Sequence, residues 1–423
     1  MAFFFSRDTK VFMSWSYDGS AAKTALYEIP VLDGFSFSQG TNTSEVTLSE
    51  AANSTGGSKR GRAMFTDSFA PAEWSFSTYM RPTVSGSGSA TTATDGVTNG
   101  QHGGNADKFA IEGPLWAAMS ANTYDRATGA SSADKSDYEP NVFNFANSNQ
   151  VTLGVFDLFF VLGASKDSEG NTYTTGTDGV TVYKLANCSV GSASIDFDIE
   201  GLAQIAWSGN GQSIEEVASL ETRATDSGNS ITGTTTLGIV NEGISSTSNY
   251  IRQKLTDLAI TFDHSASTGT LGALAVDGSN DVTYNVTLTG GNITIENNLT
   301  YLTPETLGSV NLPLGHVMGT RSVSGNFTCY LNDTSEGSLQ LFEDLQESRG
   351  VITNAFDLAF SIGGSGNTPR CVVDIDKAHL ELPSHSFEDV VSVDVAFHGL
   401  STDLSSSTAA NATNEVKLTY TAS

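Results

Sequence analysis

Positive charge is scarce in this chain of 423 residues: 20 Lys and Arg face 47 Asp and Glu, a formal net charge of −27. Proteins that grip phosphates by charge are basic, so general nucleic-acid binding is ruled out unless a local patch dissents. There are three cysteines, Cys188, Cys329 and Cys371, and no CxxC, which does not make a disulfide framework. They read as free thiols in a reducing compartment. No apolar run reaches the ~18 residues of a membrane-spanning helix. The opening MAFFFSRD has neither the basic leader nor the long apolar run of a secretion signal. Sequons such as Asn285-Val286-Thr287 and Asn326-Phe327-Thr328 therefore read as chance products of an Asn-, Ser- and Thr-rich composition. The motifs GxSxG, HExxH, Walker A and GxGxxG are all missing, so neither an enzyme nor a cofactor is expected.

The sequence does contain a repeat. Phe156-Asp157-Leu158 returns as Phe356-Asp357-Leu358, and other pairs keep the same order. Asp18-Gly19-Ser20 matches Asp277-Gly278-Ser279, and Phe35 to Phe37 match Ile293 to Ile295 in alternation. Trp74 to Tyr79 match Gly325 to Tyr330, and Phe197 and Trp207 match Phe387 and Phe397. A last pair aligns Leu258 to Phe262 with Val416 to Tyr420. The spacing between partners shrinks along the chain, and each loss falls in a Gly/Ser/Thr-rich stretch, as insertions into loops require. The expectation is a tandem duplication. Copy one spans 1–263, with inserted loops near 84–110, 165–180 and 210–248; a linker follows at 264–272, then copy two at 273–423.

Period-two alternation in Ser36-Phe37-Ser38, Trp74-Ser75-Phe76 and Ile195 to Glu200 predicts strands with one wet face. The nearly continuous apolar run VFDLFFVLG predicts a strand covered on both faces. EGPLWAAMSAN, with Pro114 in its first turn and Trp116 as anchor, predicts a helix in copy one; EGSLQLFEDLQESRG predicts its counterpart in copy two. QSIEEVASLETR opens on a Ser213/Glu216 capping box and predicts a further helix. The fold class is all-β: a β-sandwich or barrel with one flanking helix per domain. The expected core anchors are Phe37, Trp74, Phe76, Phe156, Phe197, Trp207, Ile295, Phe327, Phe356, Phe387 and Phe397.

Few residues suggest chemistry. Asp196, Asp198 and Glu200 have the spacing for weak calcium binding, but a solvated face opposite Ile195, Phe197 and Ile199 explains them better. Asp374 and Asp376 read the same way, and His379, His385 and His398 read as surface or packing residues. GGSKRGR gathers Lys59, Arg60 and Arg62 at the tip of a hairpin or long loop; the matching region of copy two has only Arg321.

IPVLDGFSFSQGTNTSEVTLSEA, GRAMFTDSFAPAEWSFSTYMRP, SIDFDIEGLAQIAWSGNG and TGGNITIENNLTYLTPETLGSVNLPLGHVMGTRSVSGNFTCYL resemble tail tube proteins of tailed bacteriophages. The resemblance covers most of both copies. It implies a structural virion protein of the tail, assembled in the host cytoplasm. Inner strands of neighbouring domains join around a lumen, and a long hairpin packs on the next ring. A fused pair implies trimeric, pseudo-hexameric rings. The implied partners are other copies of the chain, then tape-measure, baseplate and terminator proteins, and a sheath if the tail is contractile. DNA passes without specific binding. The wall would present acids such as Asp196, Asp198, Glu200 and Glu388, while Lys59, Arg60, Arg62 and Arg321 become candidates for contact between rings. A different reading is a virion adhesin, fibre or capsid-decoration protein whose inserted loops bind a host glycan.

Overall fold

The computed structural model describes residues 4–15, 25–46, 63–85, 107–120, 142–145, 153, 155–163, 172–176, 179–221, 235–236, 250–262, 282–304, 306–308, 310–347, 356–387, 390–401 and 414–421. Its elements are β1 (Lys10–Trp15), β2 (Ala25–Ile29), β3 (Ser36–Val46), β4 (Ala63–Tyr79), β5 (Pro82–Ser85), β6 (Asp107–Ala110), α1 (Gly113–Ser120), β7 (Val142–Asn144), β8 (Phe156–Leu162) and β9 (Thr172–Thr174). Then come β10 (Thr181–Asp198), β11 (Gln204–Gly211), β12 (Ser213–Val217), β13 (Ser219–Glu221), β14 (Thr235–Thr236), β15 (Asp257–Phe262), β16 (Val282–Asn285), β17 (Thr287–Glu296), β18 (Leu299–Leu302) and β19 (Gly315–Met318). The chain ends with β20 (Ser322–Tyr330), α2 (Ser338–Glu347), β21 (Phe356–Ile362), β22 (Arg370–Leu380), β23 (Ser384–Phe387), β24 (Val391–Gly399) and β25 (Lys417–Thr421). The protein is all-β with two short α-helices among the described residues, as its alternation predicts.

One long antiparallel sheet runs β3–β4–β11–β10–β17–β20–β24–β23. We call it the inner sheet. Two outer sheets pack on its apolar face. The first is β12–β10–β8–β1–β2, extended by a parallel β14; the second is β7–β25–β22–β21–β15–β16. The same pairings occur twice. Met13 stands between Tyr27 and Leu158, and Ile260 stands between Tyr284 and Leu358. Trp207 faces Phe76, and Val395 faces Phe327, so Trp207 corresponds to Val395 and not, as the sequence suggests, to Phe397. The Met80 amide donates to the Ala203 carbonyl at 2.9 Å, and the Leu331 amide donates to that of Val391 at 3.0 Å.

Two expectations change in this light. β15, expected to close the first half, pairs with β16 and β21 of the second, as β1 pairs with β2 and β8. The helix expected from the Ser213/Glu216 box is instead strands β12 and β13. Ile214 pairs with Leu185 and Val217 with Val182, so tertiary pairing overrides the local capping signal. The region 210–248 is therefore not wholly an inserted loop, since it contains β12 to β14.

Core residues follow the alternation. Trp74, Phe76, Phe156, Phe197, Trp207, Ile295, Phe327, Phe356 and Phe397 are buried. Phe37 is half-buried, with its ring 4.6 Å from that of Phe160. Phe387 lies on β23, but its side chain is outside the described set. β8 is buried from Phe156 to Val161, as a strand covered on both faces must be. Three inner-sheet glycines sit opposite aromatics: Gly209 faces Trp74, Gly291 faces Phe197 and Gly325 faces Phe397. A Cβ on Gly325 would meet the Phe397 ring at 2.7 Å, so the ring occupies the missing side chain's space.

Polar groups tie α1 into the second half. Trp116, fully buried, donates from Nε1 to the Tyr420 hydroxyl at 2.8 Å. Asn297 donates to the Met119 and Val190 carbonyls at 3.1 and 3.2 Å. Arg321 donates from Nε to Asn297 Oδ1 at 3.2 Å, and from Nη1 to the Phe145 carbonyl and Glu415 at 3.0 and 3.3 Å. Its side chain is only 1% exposed. Arg321 thus braces the interior, a role its isolation in the sequence does not reveal.

Glu112, immediately before α1, is also buried, and its carboxylate accepts from the Arg81 amide at 3.3 Å. The Arg81 guanidinium lies over the Tyr250 ring at 4.4 Å, beside a cavity of about 150 Å³ that Glu112 helps to line. Burial raises the Glu112 pKa to about 7, against the opposing pull of hydrogen bonds from Tyr420 and the Arg81 amide.

Two outcomes are expected. Arg321→Ala leaves Glu415 and two buried acceptors without their donor and costs about 3–5 kcal/mol in a urea titration. For Glu112, the folded chain keeps its proton up to about pH 7, whereas the unfolded chain releases it near the ordinary value of 4.5. That contribution is full below the ordinary value and is lost as pH rises through about 7. Its ceiling is on the order of 3 kcal/mol. Urea midpoints measured across this range should fall less in Glu112→Gln than in the wild type; equal slopes would remove Glu112 as the cause.

Candidate functional site

The inner sheet has one buried face and one open face. Buried residues on β11 are Ile205, Trp207, Gly209 and Gly211, while the alternate Gln204, Ala206 and Ser208 are exposed. β10 continues the pattern: Ala193, Ile195 and Phe197 are buried, and Asp196 and Asp198 exposed. On the neighbouring strands the open positions are Ser36 and Ser38, Ser75 and Ser77, Asn292 and Thr294, Ser324 and Asn326, and Ser384 and Ser386. Small hydroxyl and amide side chains bond one another across the strands. Ser36 and Ser75 lie 2.8 Å apart, Ser192 and Ser208 2.7 Å, and Ser194 and Thr294 3.3 Å. The Asn326 amide donates to Asp394 at 2.9 Å.

The formal charges on this open face are Glu73, Asp196, Asp198, Glu296 and Asp394. Among its described residues there is no Lys or Arg. His398 meets Glu381 at 3.1 Å, an ion pair only when the imidazole is protonated. A face of this composition repels a polyanion within the Debye length of ~8 Å at physiological salt. Its bonded hydroxyls leave few long, mobile donors to catch a phosphate.

Asp196 and Asp198 both project from β10, but the strand ends there. Glu200 lies in the turn, and Ile199 is half-exposed rather than in the core. Glu388, Lys59, Arg60 and Arg62 lie outside the described residues. His379 and His398 stack with centroids 6.5 Å apart, while His385 packs edge-on against Phe342. Among the described residues no group of three or more His, Cys, Asp or Glu is placed to hold a metal. The three cysteines are buried and unbridged, and burial raises the Cys329 and Cys371 pKa values.

The sheet also has two open edges. β3 pairs only with β4, and β23 only with β24, among the described strands. Alternation in the sequence marks these strands but does not say which edge stays unpaired; the pairing pattern does.

A third surface is apolar. The β18–β19 hairpin and its connecting segment expose Leu302, Leu307, Val310, Leu312, Leu314 and Val317. That segment docks on the β3–β4 hairpin: the Phe69 amide donates to the Asn311 carbonyl at 2.9 Å. The hairpin itself exposes Met64 and Phe65.

No family model matches the chain. It is 29% identical over 402 residues to the tail tube protein pb6 of Escherichia phage T5, a match that covers 94% of this chain and 73% of the relative. The similarity spans both halves and agrees with the all-β fold, so it supports a structural tail tube function.

The open face generates a prediction. Lysines at Ala206, Ser208, Thr294 and Ser324 should change stability by no more than about 0.5 kcal/mol each. The wild type should pass unretained over immobilised duplex DNA at low salt. The fourfold variant should bind, with a logarithmic salt slope of about −0.9 for each phosphate it neutralises. Retention of the wild type would refute the repulsive-face reading.

Proposed function

We propose that this chain, a phage tail tube protein by its sequence similarity, closes into rings of three by pairing β23 of one copy with β3 of the next. The observation that carries this reading is the junction inside the chain. The last part of β10 pairs with β17 over seven residues, from Ser192 opposite Glu296 to Asp198 opposite Gly290. β17 holds the place in its half that β3 holds in the other, and β23 the place of the last part of β10. The internal junction is thus a template for the one between chains. Two copies per chain make a ring of three chains quasi-sixfold, and its open sheet face becomes the lumen wall. Unpaired strand edges invite association, and a ring satisfies them.

On this reading copy two begins near Ile251 rather than in 264–272, because β15 takes the place of β1 and β25 that of β12. The apolar hairpin surface and the proposed basic group Lys59, Arg60 and Arg62 face the neighbouring ring. The insertions of copy one lie outside the tube. Assembly takes place in the host cytoplasm with other tail proteins as partners, and the chain acts as a wall rather than a catalyst.

Negative-stain microscopy of the purified protein tests this reading, with rings or hollow tubes as the expected result. The template also fixes a register. Asp196 faces Asn292 inside the chain, and the equivalent pair between chains is Ser386 and Ser36. The Ser36→Cys/Ser386→Cys variant should form disulfide-linked oligomers when assembled, and neither single variant should. Rings without that cross-link would reject the register; no rings at all would reject the function.

A further inference from the structure

The junction inside the chain has a seal beyond its strand ladder. The segment entering β15 lies across the β10–β11 turn. Ile251 accepts at its carbonyl from the Ala203 amide at 2.9 Å, and Leu202 and Arg252 form an isolated antiparallel bridge. The Gln253 side-chain amide donates to the Asp196 carbonyl at 2.8 Å. Ile251 is 1% exposed, and its side chain lies against Gly363, just past β21. A 3₁₀ turn over Gln253–Leu255 then leads into β15.

The same features precede β1. A 3₁₀ turn covers Ser6–Asp8, with the same spacing to the strand that follows. Phe4 lies against Gly163, just past β8, as Ile251 lies against Gly363. β8 and β21 begin with the same Phe-Asp-Leu, so the two glycines correspond. The difference is exposure: Phe4 and Phe5 are 49% and 53% exposed. A turn of the β10–β11 kind that would cover them is missing among the described residues around β1.

An exposed residue stands where β24 begins, at the other end of the inner sheet. Val391 corresponds to Ala203, since each carbonyl accepts from the matching strand end, Leu331 or Met80. Val390 then corresponds to Leu202. Val390 is itself 54% exposed. We propose that Phe4–Asp8 of one chain docks at Val390, just before β24, of a second copy, and that Phe4 and Phe5 are buried there against Val390. Phe5 stands opposite Val390 as Arg252 stands opposite Leu202. This rests on the ring reading above but adds a contact the strand ladder does not require.

A Phe5→Cys/Val390→Cys variant tests it, since the native thiols are buried. Assembled under oxidising conditions, it should run as covalent multimers without reductant, and each single variant as a monomer. A Phe4→Ser/Phe5→Ser variant should unfold as the wild type does but assemble at roughly tenfold higher concentration or above. Wild-type rings together with reduced thiols in assembled double-cysteine rings would overturn the inference and leave the ring reading intact. If the cysteine variant does not assemble, serine variants that assemble at the wild-type concentration overturn it. Absence of wild-type rings overturns both.

Discussion

The backbone hydrogen bonding of one strand constrains the rest of the fold. β10 is 18 residues long and serves two sheets. Its first part pairs with β8 and β12 in an outer sheet, and its last part with β11 and β17 in the inner one. No straight strand does both. The register slips between Leu185 and Cys188 against β8, and between Val190 and Ser192 against β11. Each slip adds twist and bend, which carry the strand around the core. β22 makes the same turn in the second half, with its own irregularity opposite Phe356 and Leu358. Once β10 is bent, β17 has an edge to join, and the second half is placed.

The open face follows from that geometry. Every residue on it is the alternate of a core residue, so its composition was free to vary without cost to packing. It holds Ser, Thr, Asn, Ala and a few carboxylates where a solubility argument alone would permit Lys. Lysine would act as a tether, because each phosphate it neutralises adds to binding by release of counterions. Serine hydroxyls bonded to the next strand are short and already satisfied. Such a face offers a nearby polyanion weak, uniform repulsion and few groups to hold it.

Much of this was legible in the sequence, for identifiable reasons. Alternation around Trp74, Ile195 and Phe327 gave strand and face together because a half-buried strand has a strict period. Pro114 and Trp116 marked α1 because helix entry has its own local chemistry. What failed was whatever depends on partners remote in sequence. Asp257–Phe262 looks like the end of a domain, yet its hydrogen bonds go forward to β16 and β21. Ser213 and Glu216 have the form of a helix cap, but Leu185 and Val182 claim that segment as a strand. Arg321 reads as a surface cation until Asn297, Phe145 and Glu415 converge on it. For the open face, the legible signal was the run of serines between aromatics, in Phe35-Ser36-Phe37-Ser38 and Trp74-Ser75-Phe76-Ser77.

The fused pair also has an energetic consequence. In a ring of single domains every junction is bimolecular and carries its own association cost, with estimates of about 4–15 kcal/mol. In the proposed ring, half of the junctions lie inside a chain, where β10 and β17 meet at an effective concentration set by the connection between them. Those junctions form during folding. The junctions between chains have no such help, and they must be held by side chains as well as by backbone. Exposed Phe4 and Phe5 stand where the internal junction has Ile251 and Arg252. A larger apolar residue in place of Ile251, and an apolar one in place of Arg252, are what the difference in cost calls for.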